Sequence, residues 1–222
     1  MTIAAIIAEY NPFHNGHEYM IKKVKKETGA DYIIAVMSGD FTQRGIPGIA
    51  DKHTRAKMAV SCGADIIFEL PVRFATASAE FFATGAVSLF HALSCVDYLC
   101  FGSECGDIEL LKECADVIKS PKFFTLLEEK LKTGLSYPAA RSNVLREFFP
   151  HINESIISSP NNILSVEYIN ALDKISSKIE PKTIRRNLEF SSASDIRSRL
   201  NDGENISTLV PTKVRKPYDS RA

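Results

Sequence analysis

The chain has 222 residues, 45% of them hydrophobic and 24% charged, with 27 basic side chains balanced by 27 acidic ones. This is the composition of an ordinary globular protein and excludes disordered and collagen-like chains. A formal net charge of zero gives no global attraction to nucleic acid, so any polyanion has to be met by a local basic patch.

Short apolar runs alternate with amphipathic stretches along the first half. Ile3 to Ala8 predicts a strand, Glu18 to Glu27 a helix and Tyr32 to Met37 a second strand. Lys52 to Cys62 follows as a helix, Ile66 to Leu70 as a strand, Ala77 to Leu93 as a helix and Tyr98 to Phe101 as a fourth strand. The apolar runs are rich in Ile, Val and Tyr and lack period-two alternation, the pattern of parallel strands buried on both faces. Repeated strand, helix and strand predicts an α/β fold with a doubly wound parallel sheet, whose ligand site lies beyond the carboxyl ends of the strands.

After Gly106 the signals turn helical, over Ile108 to Ile118, Phe123 to Lys132, Ala139 to Phe148 and Ile163 to Ile175, punctuated by Pro121, Pro138, Pro150 and Pro160. Lys182 to Arg186 fits a fifth strand, and Ser194 to Leu200 a last helix capped by Ser192 or Ser194. The organisation expected is a core over 1–106, a helical segment over 107–200 that returns to complete the core's site, and a weakly ordered tail over 201–222 with too few apolar residues to anchor it.

The five cysteines are odd in number and dispersed, which favours reduced thiols and a cytoplasmic protein. The N-terminus has no basic region ahead of its apolar run, and the longest uncharged stretch, Phe81 to Val96, is shorter than a membrane span, so no membrane partner is expected. Cys95, Cys100, Cys105 and Cys114 match no paired Cys-x-x-Cys ligand set, so no metal site is expected from them, and Cys100 reads as core. Phe81, Phe82 and Phe90 fall at helical spacing and also read as core.

The sharpest chemical signal follows the first strand. Glu9-Tyr10-Asn11-Pro12-Phe13-His14-Asn15-Gly16-His17 places two histidines three apart at a strand-to-helix turn, which puts both imidazoles on one side of the helix start. Unpaired backbone N–H groups are expected beneath them, with Gly16 letting a phosphate or an adenine approach the backbone. The loop from Ser38 to Gly48 carries Asp40, Gln43 and Arg44 at the sheet's carboxyl edge; with Lys52 and Arg55 it reads either as a substrate or RNA loop or as a solvated connection. Gly102 ends the fourth strand where a ribose or adenine could pass. Lys22, Lys23, Lys25 and Lys26 form a basic helix face that reads more readily as solvated surface than as an RNA contact.

The His-x-Gly-His string resembles the signature of the nucleotidyltransferase superfamily. The wider strings Ala8 to His17, Ser38-Gly39-Asp40-Phe41-Thr42-Gln43-Arg44-Gly45 and Pro160-Asn161-Asn162-Ile163-Leu164 resemble the bacterial tRNA(Met) cytidine acetate ligase family. That resemblance runs from residue 1 to about residue 200. It implies that ATP activates acetate to acetyl-adenylate, and that the acetyl group passes to N4 of the wobble cytidine of elongator tRNA(Met). It also implies an ATP site built from Ile7, Ala8, Glu9, Tyr10, Asn11, Pro12, Phe13, His14, Asn15, Gly16 and His17 together with Gly102, Asn162, Arg186, Ser194 and Arg197. His14 and His17 are the catalytic candidates, as donors to the phosphoryl oxygens. Ser191 to Arg197 resembles the superfamily's second signature; Asp195 beside it and the absence of a glycine-rich run before it are departures. Mg²⁺ is expected to travel with the nucleotide, held by phosphate oxygens and water. Members of the family continue beyond this length, so the chain reads as a fragment or a shortened relative. A small-molecule adenylyltransferase and a nucleotide-binding module without turnover are the alternatives.

Overall fold

The computed structural model describes residues 1–153 and 157–215. The apolar runs form parallel strands β1 (Ile3–Ala8), β2 (Tyr32–Ser38), β3 (Ile66–Leu70) and β4 (Tyr98–Ser103), joined by β5 (Glu180–Arg185) in the order β3-β2-β1-β4-β5. Alternate side chains enter different cores. Ile3, Ala5, Ile34, Val36, Leu99 and Phe101 belong to a first apolar cluster, and Ala4, Ile6, Ile33, Ala35, Met37 and Cys100 to a second. Both faces are covered, so the strands could be apolar throughout.

Helices α1 (Asn15–Thr28) and α2 (Lys52–Ser61) supply Ile21, Val24, Met58 and Ala59 to the second cluster. The chain then crosses over: α3 (Val72–Ala75) and α4 (Ala79–Leu93) place Ala75, Phe82, Ala83, Ala86, Val87 and Phe90 in the first. Crossovers therefore leave β1 in opposite directions, and a crevice opens at the carboxyl ends of β1 and β4.

The helix expected over Ala77 to Leu93 forms as α4, which starts two residues later at Ala79. Ser78 caps α4, and α3 folds back on it so that a Cβ at Gly85 would sit 2.5 Å from the Phe74 ring. Phe82 and Phe90 are core as expected, but Phe81 is 58% exposed, because it lies on the face of α4 turned from the sheet.

Helices α5 (Ile108–Lys119), α6 (Pro121–Lys132), α7 (Tyr137–Phe148) and α8 (Pro160–Lys174) follow. Leu111, Cys114 and Ala115 of α5 and Val166, Tyr168 and Leu172 of α8 join the first cluster, so apolar packing is continuous across residue 106. Helices α6 and α7 make a smaller cluster of their own around Phe123, Leu127, Val144 and Leu145. The last helix, α9 (Ala193–Asn201), is capped by Ser192, whose Oγ accepts from the Asp195 N–H at 3.1 Å.

The expectation of a weakly anchored tail is corrected for residues up to 215. Ile206, Val210 and Val214 are buried in the second cluster, and the Leu209 and Thr208 carbonyls accept from the backbone and side-chain N–H of Asn15 at 3.0 and 2.8 Å. A few spaced apolar side chains, too sparse to register as a pattern, hold the segment. Residues 216–222 of that tail lie outside the described residues. Among the described residues no helix is long and apolar enough to cross a membrane.

Candidate active site

A cavity of about 380 Å³ lies in the crevice, within the size range of ligand pockets. The ends of β1, β4 and β5 border it through Ile7, Ala8, Phe101, Gly102 and Ile184. Of the predicted site residues, Ile7, Ala8, Glu9, Tyr10, Asn11, His14, Gly16, His17, Gln43, Arg44, Gly102, Arg186, Ser194 and Arg197 line it. Pro12, Phe13, Asn15, Asp40, Lys52, Arg55 and Asn162 do not.

The histidines form a locked pair. His14 is the N-cap of α1 and its Nδ1 accepts from the Gly16 N–H at 3.0 Å; His17, at N3, accepts through Nδ1 from the His14 N–H at 3.3 Å. This is a capping box built from two imidazoles. Because each Nδ1 is an acceptor, each neutral ring carries its proton on Nε2. The rings stack 3.8 Å apart, and His17 also packs edge-on against Tyr10. Burial, with the Arg186 charge adding to it, lowers the His14 pKa to about 4; burial, then His14 and Arg186, hold His17 well below the usual imidazole range. Both rings are therefore neutral Nε2–H donors at pH 7.

One expectation is corrected here. The first amides of α1 are not free for an anion, since Asn15 N–H donates to Leu209, Gly16 N–H to His14 Nδ1, and His17 and Glu18 N–H to the His14 carbonyl. The capping box and the docked tail consume them. The amides of Ala193 and Ser194 at the start of α9 border the same cavity and have no acceptor among the described residues. Asp195 is ion-paired with Arg199 at 3.2 Å, one turn on, which offsets its charge beside the site.

Depressed histidine pKa values have a consequence for stability. Unfolded histidines take up protons below about pH 6.5, whereas folded His14 does so only near 4. Stability is then fully present above about pH 6.5 and is lost as the pH falls toward 4, by roughly 3 kcal/mol at most from His14. Denaturant titrations at a series of pH values should show the midpoint falling below about pH 6.5. In the His14→Gln/His17→Gln double variant that slope should flatten.

Arg186 and Arg197 line the cavity beside the histidines. Arg197 Nη1 donates to the Asn11 carbonyl at 2.8 Å, tying α9 to the turn after β1. Arg186 is exposed and pairs with Glu104 at 3.3 Å. Glu104 gave no signal in the sequence beyond following Gly102 and Ser103, yet it also accepts from Asn161 Nδ2 at 2.7 Å and from the Asn162 N–H at 3.0 Å. Asn162, expected at the nucleotide, is turned to this join instead, its Oδ1 accepting from the Glu104 N–H at 2.8 Å. Asn161 borders the cavity in its place. Tyr19 and Phe190, a ring pair 5.3 Å apart at the rim, were also missed, since isolated aromatics carry no motif.

In the predicted loop, Arg55 is a correction. It is fully buried, and its guanidinium donates to the carbonyls of Ala50, Glu9, Ser38 and Gly39, so it clamps strand ends and cannot meet phosphate or RNA. Lys52 pairs with Glu69 at 2.8 Å, and its N–H donates to Asp40 at 3.0 Å. Gln43 N–H donates to Glu9 Oε1 at 2.8 Å, which holds the loop over the cavity. On the basic face of α1, Lys22 and Lys23 pair with Glu18 and Glu27 at 2.9 and 3.0 Å, which removes half of its charge. Among the described residues no group of three or more His, Cys, Asp or Glu side chains is placed to hold a metal ion.

The chain is 45% identical over 223 residues to the tRNA(Met) cytidine acetate ligase of Acetivibrio thermocellus, covering 99% of this chain and 54% of that protein. It is 49% identical over 196 residues to the same-named protein of Clostridium perfringens, covering 84% of this chain and 49% of that one. The crystal structure of Thermotoga maritima TmcAL bound with alpha-thio ATP superposes with a TM-score of 0.90 at 39% identity, covering 99% of this chain and 55% of that one. The chain thus spans about half the length of the curated relatives it matches. The family model described as HIGH Nucleotidyl Transferase matches residues 1–221, and the chain belongs to that family.

Proposed function

We propose that the cavity binds ATP and activates acetate as acetyl-adenylate, and that the acetyl group then passes to N4 of the wobble cytidine of elongator tRNA(Met) in the cytoplasm. The observation that carries this reading is the pair of neutral, backbone-locked imidazoles lining one cavity together with two arginines. The names of the relatives, and the nucleotide analogue in the Thermotoga maritima structure, support it.

In the first step an acetate oxygen bonds to the α-phosphorus, and the bond to the β-phosphate breaks with its electron pair leaving on pyrophosphate. Acetate is already ionised at neutral pH, so no base is needed. Negative charge grows on the phosphoryl oxygens, where the Nε2–H groups of His14 and His17 donate. Arg186 and Arg197 neutralise the departing pyrophosphate, and the Ala193 and Ser194 amides receive its oxygens. A Mg²⁺ ion would be held by the triphosphate oxygens and water, since the described side chains gather no ligand set for it. In the second step the cytidine amine attacks the acetyl carbonyl and loses a proton, and AMP departs. Gln43 and Arg44, over the cavity, are the side chains offered to the incoming RNA. Segment 107–200 completes the ATP site of the 1–106 core through Asn161, Arg186, Ser194 and Arg197.

Labelled pyrophosphate should exchange into ATP only when acetate is present. Exchange that needs a phosphorylated small molecule instead would favour an adenylyltransferase, and ATP binding with no exchange would favour a binding module. Gly16→Ala is a local test of the histidine pair. A Cβ there would sit 2.9 Å from Cε1 and 3.0 Å from Nδ1 of His14, so the ring has to move. The exchange rate is expected to fall at least about tenfold with little loss of thermal stability, because misplaced donors cost rate while Ala suits a helix.

A further inference from the structure

The cavity has two chemically different walls, and they belong to opposite faces of the sheet. His14 and His17 on α1, and Ser194 and Arg197 on α9, stand on the side of the second apolar cluster. The facing wall is made by Phe82 of α4, Leu164 and Tyr168 of α8, Phe101 of β4 and Ile7 of β1, all members of the first cluster or packed against it. The two walls meet because consecutive residues of β1, Ile6 and Ile7, point to opposite faces at its carboxyl end.

Displacement at phosphorus places the attacking oxygen and the leaving oxygen roughly in line, on opposite sides of the reacting atom. With pyrophosphate drawn toward Arg186, Arg197 and α9, the attacking acid comes from the far side, where the wall is apolar. Phe82 and Phe101 are each 3% exposed and Tyr168 5%, and the Phe101 and Tyr168 rings lie 5.5 Å apart, so this wall is backed by packed aromatic rings and closed at depth. Burial and the Glu9 carboxylate push the Tyr168 phenol up, so it stays an O–H and adds no charge there.

We infer that the wall formed by Phe82, Phe101, Leu164 and Tyr168 is the acyl pocket: it seats the alkyl group of a short monocarboxylic acid and limits its length. This rests on the acid-activating reading above and goes beyond it by naming the residues that choose the acid. One methylene in such a pocket is worth about 10- to 200-fold in discrimination.

Pyrophosphate exchange is measured with acetate, propionate and butyrate in the unmodified protein and in Phe82→Leu and Leu164→Ala, the first a mild change in case a larger truncation does not fold. The unmodified protein should prefer acetate to propionate by at least about tenfold and lose butyrate altogether. Each variant should raise kcat/KM for propionate relative to acetate by about tenfold, with the KM for ATP changed little. Equal use of butyrate and acetate by the unmodified protein would overturn the proposal. So would unchanged acid preference in both variants, and a rise in the KM for ATP alone would place the nucleotide's base against this wall instead. Absence of any acid-dependent exchange in the unmodified protein would sink the functional reading itself, a result distinct from those outcomes.

Discussion

His17→Ala lowers kcat for acetate-dependent ATP–pyrophosphate exchange about 100-fold, the usual cost of one lost transition-state donor. The KM for ATP changes much less, because charge on the phosphoryl oxygens grows only as the acid attacks. Part of the loss is positional. Without the His17 Nδ1 acceptor, the His14 N–H that it holds at 3.3 Å loses its partner, and the stacked ring 3.8 Å away loses its support. His17→Gln separates the two contributions. Glutamine at N3 can rebuild the capping box from its amide oxygen and leave an N–H donor over, so this variant should recover about tenfold of the loss. Steady-state exchange with both variants, at saturating and limiting ATP, checks the split. An unchanged kcat in His17→Ala would remove the ring from the chemistry.

Arg55→Met unfolds at a temperature lower by about 10 °C or more, which corresponds to roughly 3–5 kcal/mol in a chain of this size. The guanidinium is fully buried and gathers the carbonyls of Glu9, Ser38, Gly39 and Ala50, at the ends of β1 and β2 and in the loop before α2. Methionine fills much of the space, but the buried acceptors lose their donors, each at about 1–3 kcal/mol before relaxation. Arg55→Lys should recover little of it, because an ammonium cannot present the planar fork that reaches several carbonyls at once. The clamp also fixes the Glu9 carbonyl from which the turn to His14 begins, so exchange should fall in Arg55→Lys even where the protein stays folded. Thermal melts and exchange assays on both variants test the two halves of this expectation.

The parts of the fold that were legible are those whose physics is local. The bounds of β1 coincide with its apolar run, because a central strand covered on both faces needs no polar alternation; those of β3 coincide as well, although it is a partly exposed edge strand. The histidine string announced itself because a turn, a small residue and two imidazoles have to be adjacent in sequence to share a helix start. Gln43 and Arg44 do border the cavity, while Arg55, in the first turn of α2, does not. A guanidinium reads as surface in sequence, and only the convergence of strand ends makes it structural. Glu104 was invisible for the same reason: its partners, Asn161, Asn162 and Arg186, lie more than fifty residues away. The acyl wall was equally hidden, since Phe82 carries the helical spacing of any core residue and becomes part of a cavity only where α4 and α8 meet the edge of β4.

In the proposed mechanism both histidines present a neutral Nε2–H to the phosphate because the backbone occupies each Nδ1. Nitrogen-15 NMR of the histidine side chains, followed from about pH 8 down to about pH 6 with and without ATP, tests it most directly. His14 and His17 should show an unprotonated Nδ1 and a protonated Nε2 throughout, without titration, and both Nε2–H signals should shift when ATP is added. Protonation at Nδ1, a titration near the ordinary histidine value, or Nε2–H signals indifferent to ATP would contradict it.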